Sequence, residues 1–500
     1  MFADVVVIGA GPAGLSAAIE ACRAGGTCLV LCRGRPGLDG NGLLAAGNWA
    51  VLNPAAGDTP ERFRDDLVRS GAGLADPELC LALATDSAEV PGFLGALGVR
   101  FLERDGRPWF GGNPGHGVPR TLTSLSPAPG RPGRGFTEPL AEAARAAGAR
   151  FLPHTTAVRI EVDQGRAVGV VLRRRDGSLG RVAAGAVVLA AGGGTRLWRR
   201  TDNAAGMAAE AWALGYGAGA MLRDLEFVQF HPTVGLWPIR AVFPTSLFAD
   251  GAALRNARGE RFLPGEARAT RDEMGRAVEQ EIREGRGVRG GVWLDLSGVP
   301  DETWATRYAG LARTLARKGF DRSRDRAVVA PAAHFLMGGL EIGPDGGTGV
   351  PGLWAAGEAA AGVHGANRLA GTGLTEAVVF GRRAGRAAAA GTVPPASGPR
   401  PGPPPAPPPA PEIRRRVREV VSAAAGLVRE AGHLERGLAE LEALRPPPQA
   451  APEDRNLWTS AWLLLRACLA RAESRGAHFR ADAPDPNPAR AQPVRFRRRT

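Results

Sequence analysis

The stretch DVVVIGAGPAG, residues 4–14, decides the fold. Residues 4–8 form a continuous apolar run, the pattern of a central strand in a parallel sheet. Gly9-x-Gly11-x-x-Gly14 follows directly and opens a predicted helix over 12–24. The first glycine permits the tight turn, the second lets backbone approach a pyrophosphate, and the third allows close helix–strand packing. Free N–H groups and the positive dipole end of the helix then face the phosphates. A second predicted strand, 27–32, completes the opening of a Rossmann-type dinucleotide-binding unit.

Further along, residues 185–191 read as another buried strand, ending in Gly192-Gly193-Gly194. Residues 204–220 read as a helix, and from about Pro232 to Ala332 strand, loop and helix mix, as in an inserted cap. The chain then returns to the cofactor domain. LWAAGEAAAGVHGANRLAGTGLTE, residues 353–376, brings Glu358, His364 and Arg368 towards the same cofactor, and a helix over 374–390 follows. The expected fold is α/β, with a Rossmann-type cofactor domain (1–231 and 333–391), an α+β cap (232–332) and a C-terminal helical domain (412–482). A proline-rich, extended linker (392–411) precedes that domain, whose helical segments 412–443 and 454–475 form a hairpin. A disordered basic tail (483–500) is expected to follow it.

The length of 500 residues calls for two or three domains, and 44% hydrophobic residues allow a large core. The chain has no run long enough to span a bilayer and no signal-peptide shape at its start. The net charge of +13 raises a nucleic-acid reading. Against it, Lys318 is the only lysine, and the arginines are scattered among abundant Ala, Gly and Pro, the bias of a high-GC coding sequence. Five cysteines without CxxC or metal-ligand spacing point to reduced thiols in the cytoplasm, with no metal bound.

Six segments together resemble a known family: GAGPAG (9–14), LEFVQFHPT (225–233), TRDEMGRA (270–277), AHFLMGG (333–339), the 354–376 return and ARAESRGAHFRAD (470–482). Over residues 3–482 the chain resembles the flavoprotein subunits of succinate dehydrogenase and fumarate reductase, together with L-aspartate oxidase. Within that family its overall length and its ending soon after ESRGAHFR are most like L-aspartate oxidase. The resemblance implies an FAD-dependent oxidoreductase that moves a hydride between flavin N5 and a four-carbon dicarboxylate. His231 would bind one carboxylate, His334 and Arg368 the other, and Arg271 would exchange a proton with the substrate carbon. Glu358 would hold the ribityl chain. The expected cofactor contacts are Gly9, Gly11, Pro12, Ala13, Gly14, Arg33, Gly192, Gly193, Glu358, Gly373 and Leu374.

The residue types suit these roles. An arginine fork matches a carboxylate in two hydrogen bonds. Holding a dianion at both ends makes hydride transfer a positioned event. Thr270-Arg271-Asp272-Glu273 reads as a capping box that fixes Arg271 at the first helical position. The helix beginning near Gly373 would aim its positive end at the isoalloxazine. Of the other histidines, His154, His433 and His478 read as structural or exposed, and His116 lies on the loop where the family has its substrate side.

Four departures mark this chain. Cys32 stands where strand two normally ends in an acid for the ribose. Residues 41–50 contain no histidine, so FAD is expected to bind non-covalently. Thr245 and Phe248 replace the Glu and Arg that carry protons to the catalytic arginine in fumarate reductases. No Gly-Asp-Gly is visible in 201–211. No acid lies in 110–120 to meet a substrate amine, which counts against aspartate. Two other readings stay open: a catalytic subunit that receives electrons from a partner protein with another acid as substrate, and a non-enzymatic flavin-binding interaction protein.

Overall fold

The structure, a computed structural model, describes residues 1–113, 115–128, 131–394 and 402–498. Val5, Val6 and Val7 are fully buried, as a central strand requires. Their strand, Phe2–Ile8, lies between Cys28–Leu31 and Leu179–Leu189 and runs parallel to both. Arg150–Leu152 extends the sheet beyond Cys28–Leu31. On the other side, Leu179–Leu189 is shared along its length. Its first half pairs antiparallel with Arg166–Arg173, and its last residues pair parallel with Leu353–Ala355. That division sets the 353–376 return beside the turns that follow Ile8 and Leu189.

Helix Pro12–Arg23 packs backbone to backbone against helix Thr372–Ala390. A Cβ on Gly381 would meet the Ala13 carbonyl oxygen at 2.4 Å, and one on Gly385 the Ala17 oxygen at 2.3 Å. At Gly9 the backbone takes φ +113°, and a Cβ there would strike the Ala190 oxygen at 2.1 Å. Glycine is required at that turn on both counts. The helix expected over 204–220 forms only over Glu210–Gly217. Before it, Asn41 Oδ1 accepts from the Ala204 N–H at 3.0 Å, an alternative that holds this segment irregular.

Val228–Trp237, Ala327–Leu336, Val292–Asp295 and Ala253–Arg255 make an antiparallel sheet. It carries its own hydrophobic core, which includes Phe243, Phe248, Leu254, Met274 and Leu294. Its two long strands carry His231 and His334.

The C-terminal region differs from its sequence reading. The helix expected over 412–443 is two helices, Pro411–Ala424 and Ala431–Ala443, followed by Pro452–Ala470. The break at 425–430 is imposed by Arg429. Its side chain is buried, with Nη1 donating to the Glu226 carbonyl at 2.7 Å. Its backbone bonds Phe479 and Ala481, so it cannot continue a helix. All three helices join the core of the cofactor body.

The tail expected to be disordered is ordered through its described part. Arg495–Phe496 pairs antiparallel with Leu222–Arg223, and Arg495 Nε bonds Glu341 at 2.7 Å. A run of arginines signals a solvated end only while it lacks acidic and backbone partners, and here both are supplied. Residues 395–401 of the proline-rich linker and the terminal 499–500 lie outside the described residues. Among the described residues, no helix is long and apolar enough to cross a membrane.

Candidate active site

A cavity of about 2490 Å³ runs from the Gly9–Ala13 turn to the underside of the cap. That exceeds the ~300–1,000 Å³ of a typical small-molecule pocket and suits a long cofactor with a substrate beyond it. The helix N-termini behind Gly11 and behind Gly371 open into it. Neither has a side-chain cap, so the first-turn N–H groups of Ala13 and Gly14, and of Gly373 and Leu374, are open to a ligand. A Cβ on Gly11 would meet nothing within 4 Å, so this backbone faces open space.

Gly9, Gly11, Pro12, Ala13, Arg33, Gly192, Glu358, Gly373 and Leu374 line the cavity. Gly14 and Gly193 stand behind its wall. Gly14 lies against the Gly9 carbonyl, and Gly193 lies against the Glu358 carboxylate. These features fit a flavin dinucleotide: a glycine turn for pyrophosphate, two open helix ends, and a buried carboxylate midway for hydroxyl groups.

At the far end Cys32 is a buried thiol, pushed up to about 11 chiefly by burial, and it faces the Leu152 carbonyl at 3.7 Å. It is a neutral group at the ribose position. A carboxylate is nevertheless present. Glu210, in the first turn of its helix, accepts from Arg33 Nη2 at 2.8 Å and from the Ala208 N–H at 3.1 Å, and it lines the cavity. The sequence reading sought Gly-Asp-Gly and passed over this glutamate, which has alanines on both sides. An acid opening a helix just after the glycine-rich strand end was the available signal.

At the other end the structure brings His231, Arg271, His334 and Arg368 together on one wall. The capping box forms as expected, with Thr270 Oγ1 accepting from the Glu273 N–H and Glu273 reaching back to the Thr270 N–H. Arg271 is thereby held at the helix start. Arg368 stacks over Phe335, its Cζ 4.2 Å from the ring centre. Both arginines donate to Gln229 Oε1, at 3.5 Å from Arg271 and 2.9 Å from Arg368. Gln229 lies two residues before His231 on one strand, the spacing that puts both on one face. His231 and His334 meet edge to face, ring centres 5.5 Å apart. The Thr233 N–H donates to His231 Nδ1 at 3.3 Å, leaving the ring proton on Nε2.

Asp202 is the residue that sequence reasoning missed most plainly. Its Oδ2 lies 2.6 Å from His334 Nδ1, and its Oδ1 accepts from Asn203 Nδ2 at 3.0 Å. The same Asn203 amide donates to the His334 carbonyl at 2.8 Å. Asn203 Oδ1 accepts from Asn41 Nδ2 at 2.6 Å, and Asn41 reaches Glu358 Oε2 at 3.5 Å. The flavin-side carboxylate and the substrate-side imidazole therefore share one polar network.

Burial sets the charge states here. It pulls the Arg368 guanidinium down to about 10, with Arg271 adding to the effect. It lowers Arg271 as well, against the opposing pull of Asp272 and Asp202. His231 is driven well below the usual histidine range by burial and by the nearby Arg271, His334 and Arg368. Glu358 is raised to about 7 by burial, more than its hydrogen bond from Leu336 and the charge of Arg368 offset. The site is a cationic pocket holding few negative charges, as a dianion requires.

Two histidines fall elsewhere. His364, expected near the cofactor, is buried with Nε2 2.9 Å from Glu376 and its ring against Phe335, so it is spent on an internal hydrogen bond. His116 contacts Arg120 and the Ala370 carbonyl inside a buried cluster with Asp58 and Asp66. Neither lines the cavity. Thr245 does line it, whereas Phe248 is buried in the cap core.

The family profile described as FAD binding domain matches residues 4–374, and that of the fumarate reductase flavoprotein C-terminus matches 449–497. The L-aspartate oxidase of Caulobacter vibrioides is 36% identical, with 97% of this chain and 94% of that protein covered. One of the subunits of the fumarate reductase (CoM/CoB) of Methanothermobacter marburgensis is 31% identical, with 97% and 95% covered. Among solved structures, Mycobacterium smegmatis Sdh1 in complex with UQ1 superposes with a TM-score of 0.84 at 29% identity, covering 97% of this chain and 90% of that one.

Proposed function

The chain belongs to the FAD-dependent oxidoreductase family of L-aspartate oxidase, fumarate reductase and succinate dehydrogenase flavoproteins, and from that premise we propose that it oxidises or reduces a four-carbon dicarboxylate. Bound FAD supplies a two-electron acceptor or donor at its N5. The protein's part is to hold, orient and enclose the acid. The observation that carries this reading is the convergence of Arg271 and Arg368 on one neutral amide oxygen, with His231 and His334 beside them.

In this reading His231, kept neutral with its proton on Nε2, donates to one carboxylate. His334 and Arg368 hold the other. Arg271 sits at a helix start, where burial eases loss of its proton, and it faces the substrate carbon. Thr245 and Phe248 offer no titratable group to resupply it. Gly9, Gly11, Gly192, Glu358 and the helix start at Gly373 and Leu374 hold FAD, with the Arg33–Glu210 pair at its adenosine end. Residues 41–50 have no imidazole to form a covalent link, which supports non-covalent binding.

The test is anaerobic mixing of the purified yellow protein with succinate, aspartate and related acids while the oxidised flavin band is followed. Bleaching by one acid names the donor. A protein that neither bleaches nor shifts its spectrum with any short dicarboxylate defeats the proposal. A second reading, a catalytic subunit fed by a partner protein, is favoured by the similarity to one of the subunits of a fumarate reductase. The described cysteines form no cluster, so iron–sulfur groups would lie on that partner. Rapid oxygen consumption by this chain alone counts against it.

A further inference from the structure

We propose that Asp202 is a positioning residue which makes His334 the proton acceptor for ligand binding: a dicarboxylate enters the site together with one proton, taken from solvent onto His334 Nε2. This inference rests on the dicarboxylate reading of the site. It concerns binding alone, and no electrons move in it.

The geometry carries it. The Asp202–His334 contact is 2.6 Å, with 8% of the Asp202 side chain and 27% of the His334 side chain exposed. Asn203 fixes both partners, through Asp202 Oδ1 and the His334 carbonyl. An imidazole whose Nδ1–H is pinned to a carboxylate presents Nε2 to the cavity in one orientation, and the carboxylate stabilises the imidazolium once a second proton arrives. His231 has no such partner and is held neutral, so the two histidines divide the work.

The charged groups facing His334 come from four segments: Asp202 and Arg200 from the loop beside it, His231 from the neighbouring strand, Arg271 from its helix, and from the 353–376 return both Arg368 and, through the Asn41–Asn203 bridge, Glu358. The arginines oppose a charge on His334 in the empty site, and Asp202 supports it. An incoming carboxylate adds negative charge on the cavity side and tips the ring to imidazolium. Both N–H groups are then used, one on Asp202 and one on the ligand. Protonation and anion binding are linked, each strengthening the other.

Titration calorimetry of the FAD-loaded protein with malonate, a short dicarboxylate, tests this. Repeating it near pH 8 in buffers of different ionisation heat counts protons. Uptake of about one proton per malonate is expected in the wild type. Asp202→Asn keeps an oxygen for the Nδ1–H but removes the charge. It should lose the uptake near pH 8 and bind malonate roughly tenfold or more weakly there, recovering near pH 6. Asp202→Glu should restore part of the uptake. No uptake in the wild type overturns the proposal, as does uptake that persists in His334→Gln, which would name Glu358 instead. The wild-type count and His334→Gln decide the matter even if Asp202→Asn fails to fold. Absence of any malonate binding defeats the site reading itself, a separate failure from binding without proton uptake.

Discussion

Arg271 and Arg368 are drawn together by one oxygen: Gln229 Oε1 accepts from both, at 3.5 and 2.9 Å. Two guanidinium groups share a neutral amide where a carboxylate would have cancelled them. Arg368 Nε has no protein partner at all. The pocket is wired to keep positive charge available, and a bound dianion is what relieves it.

Gln229 is therefore the place to test that wiring. Gln229→Glu supplies the missing carboxylate and pairs with both arginines from within. Dicarboxylate affinity, read from the shift of the flavin spectrum on titration, should fall by about 3 kcal/mol, roughly a hundredfold. Gln229→Leu leaves the charges free but unaimed and should cost about 1–1.5 kcal/mol. Equal losses in the two variants would show that Gln229 acts through shape and not through charge.

Arg368 should trade stability for binding. It is buried over Phe335 without a carboxylate partner, so its removal relieves a desolvated charge. Arg368→Ala should keep FAD and lose about 2–5 kcal/mol of dicarboxylate affinity. In the ligand-free protein its urea midpoint should match or exceed that of the wild type. Arg368→Lys should not restore binding, because an ammonium lacks the planar fork. A large fall in stability with unchanged affinity would overturn the clamp assignment.

Glu358 predicts a pH dependence. Its folded-state carboxyl is raised from 4.5 to about 7, so between those values the folded apoprotein binds more protons than the unfolded chain. Stability is fully present below the unfolded value and is lost as pH rises through the folded one. Over that window the loss is about 3 kcal/mol in order of magnitude. Glu226, also raised to about 7, adds to it, so the informative quantity is the difference from Glu358→Gln. That variant, stripped of FAD, should lose less stability than the wild type between pH 5 and pH 8 in urea titrations. Identical pH profiles would mean that Glu358 is ionised in the folded state.

Local patterns made the cofactor half readable. The DVVVIGAGPAG turn and the 353–376 return are short contiguous segments whose residue order fixes their geometry. What escaped was whatever depends on pairing across the chain. Asp202 and His334 are 132 residues apart, and nothing local joins them. Glu210 serves the cavity through Arg33, 177 residues away. The ARAESRGAHFRAD segment was visible as a motif, but its role was not. Arg471 bonds Glu226 through Nε, and His478 Nδ1 contacts Arg429, so the segment props the start of the strand that carries His231. The tail was misread for the same reason, since Glu341 and the strand Leu222–Arg223 that order it lie far upstream.

Phe248 shows why the expected proton route is not one substitution away. Aligned with the family's arginine, it is 5% exposed among Phe243, Leu247 and Leu254. Its nearest acid in sequence, Asp250, is already bonded by Tyr308 and paired with Arg307. Phe248→Arg would bury a cation without a partner and should destabilise the protein by about 3 kcal/mol or more. The dependence of the flavin-bleaching rate on acid concentration should be unchanged, because the new side chain gains no path to Arg271. Thr245→Glu behaves differently. Thr245 lines the cavity, so a carboxylate there is solvated, leaves stability within about 1 kcal/mol, and competes with the substrate for the arginines. Urea midpoints for the two variants separate these outcomes. A stable Phe248→Arg protein with faster bleaching would mean that the cap opens towards Arg271 in solution.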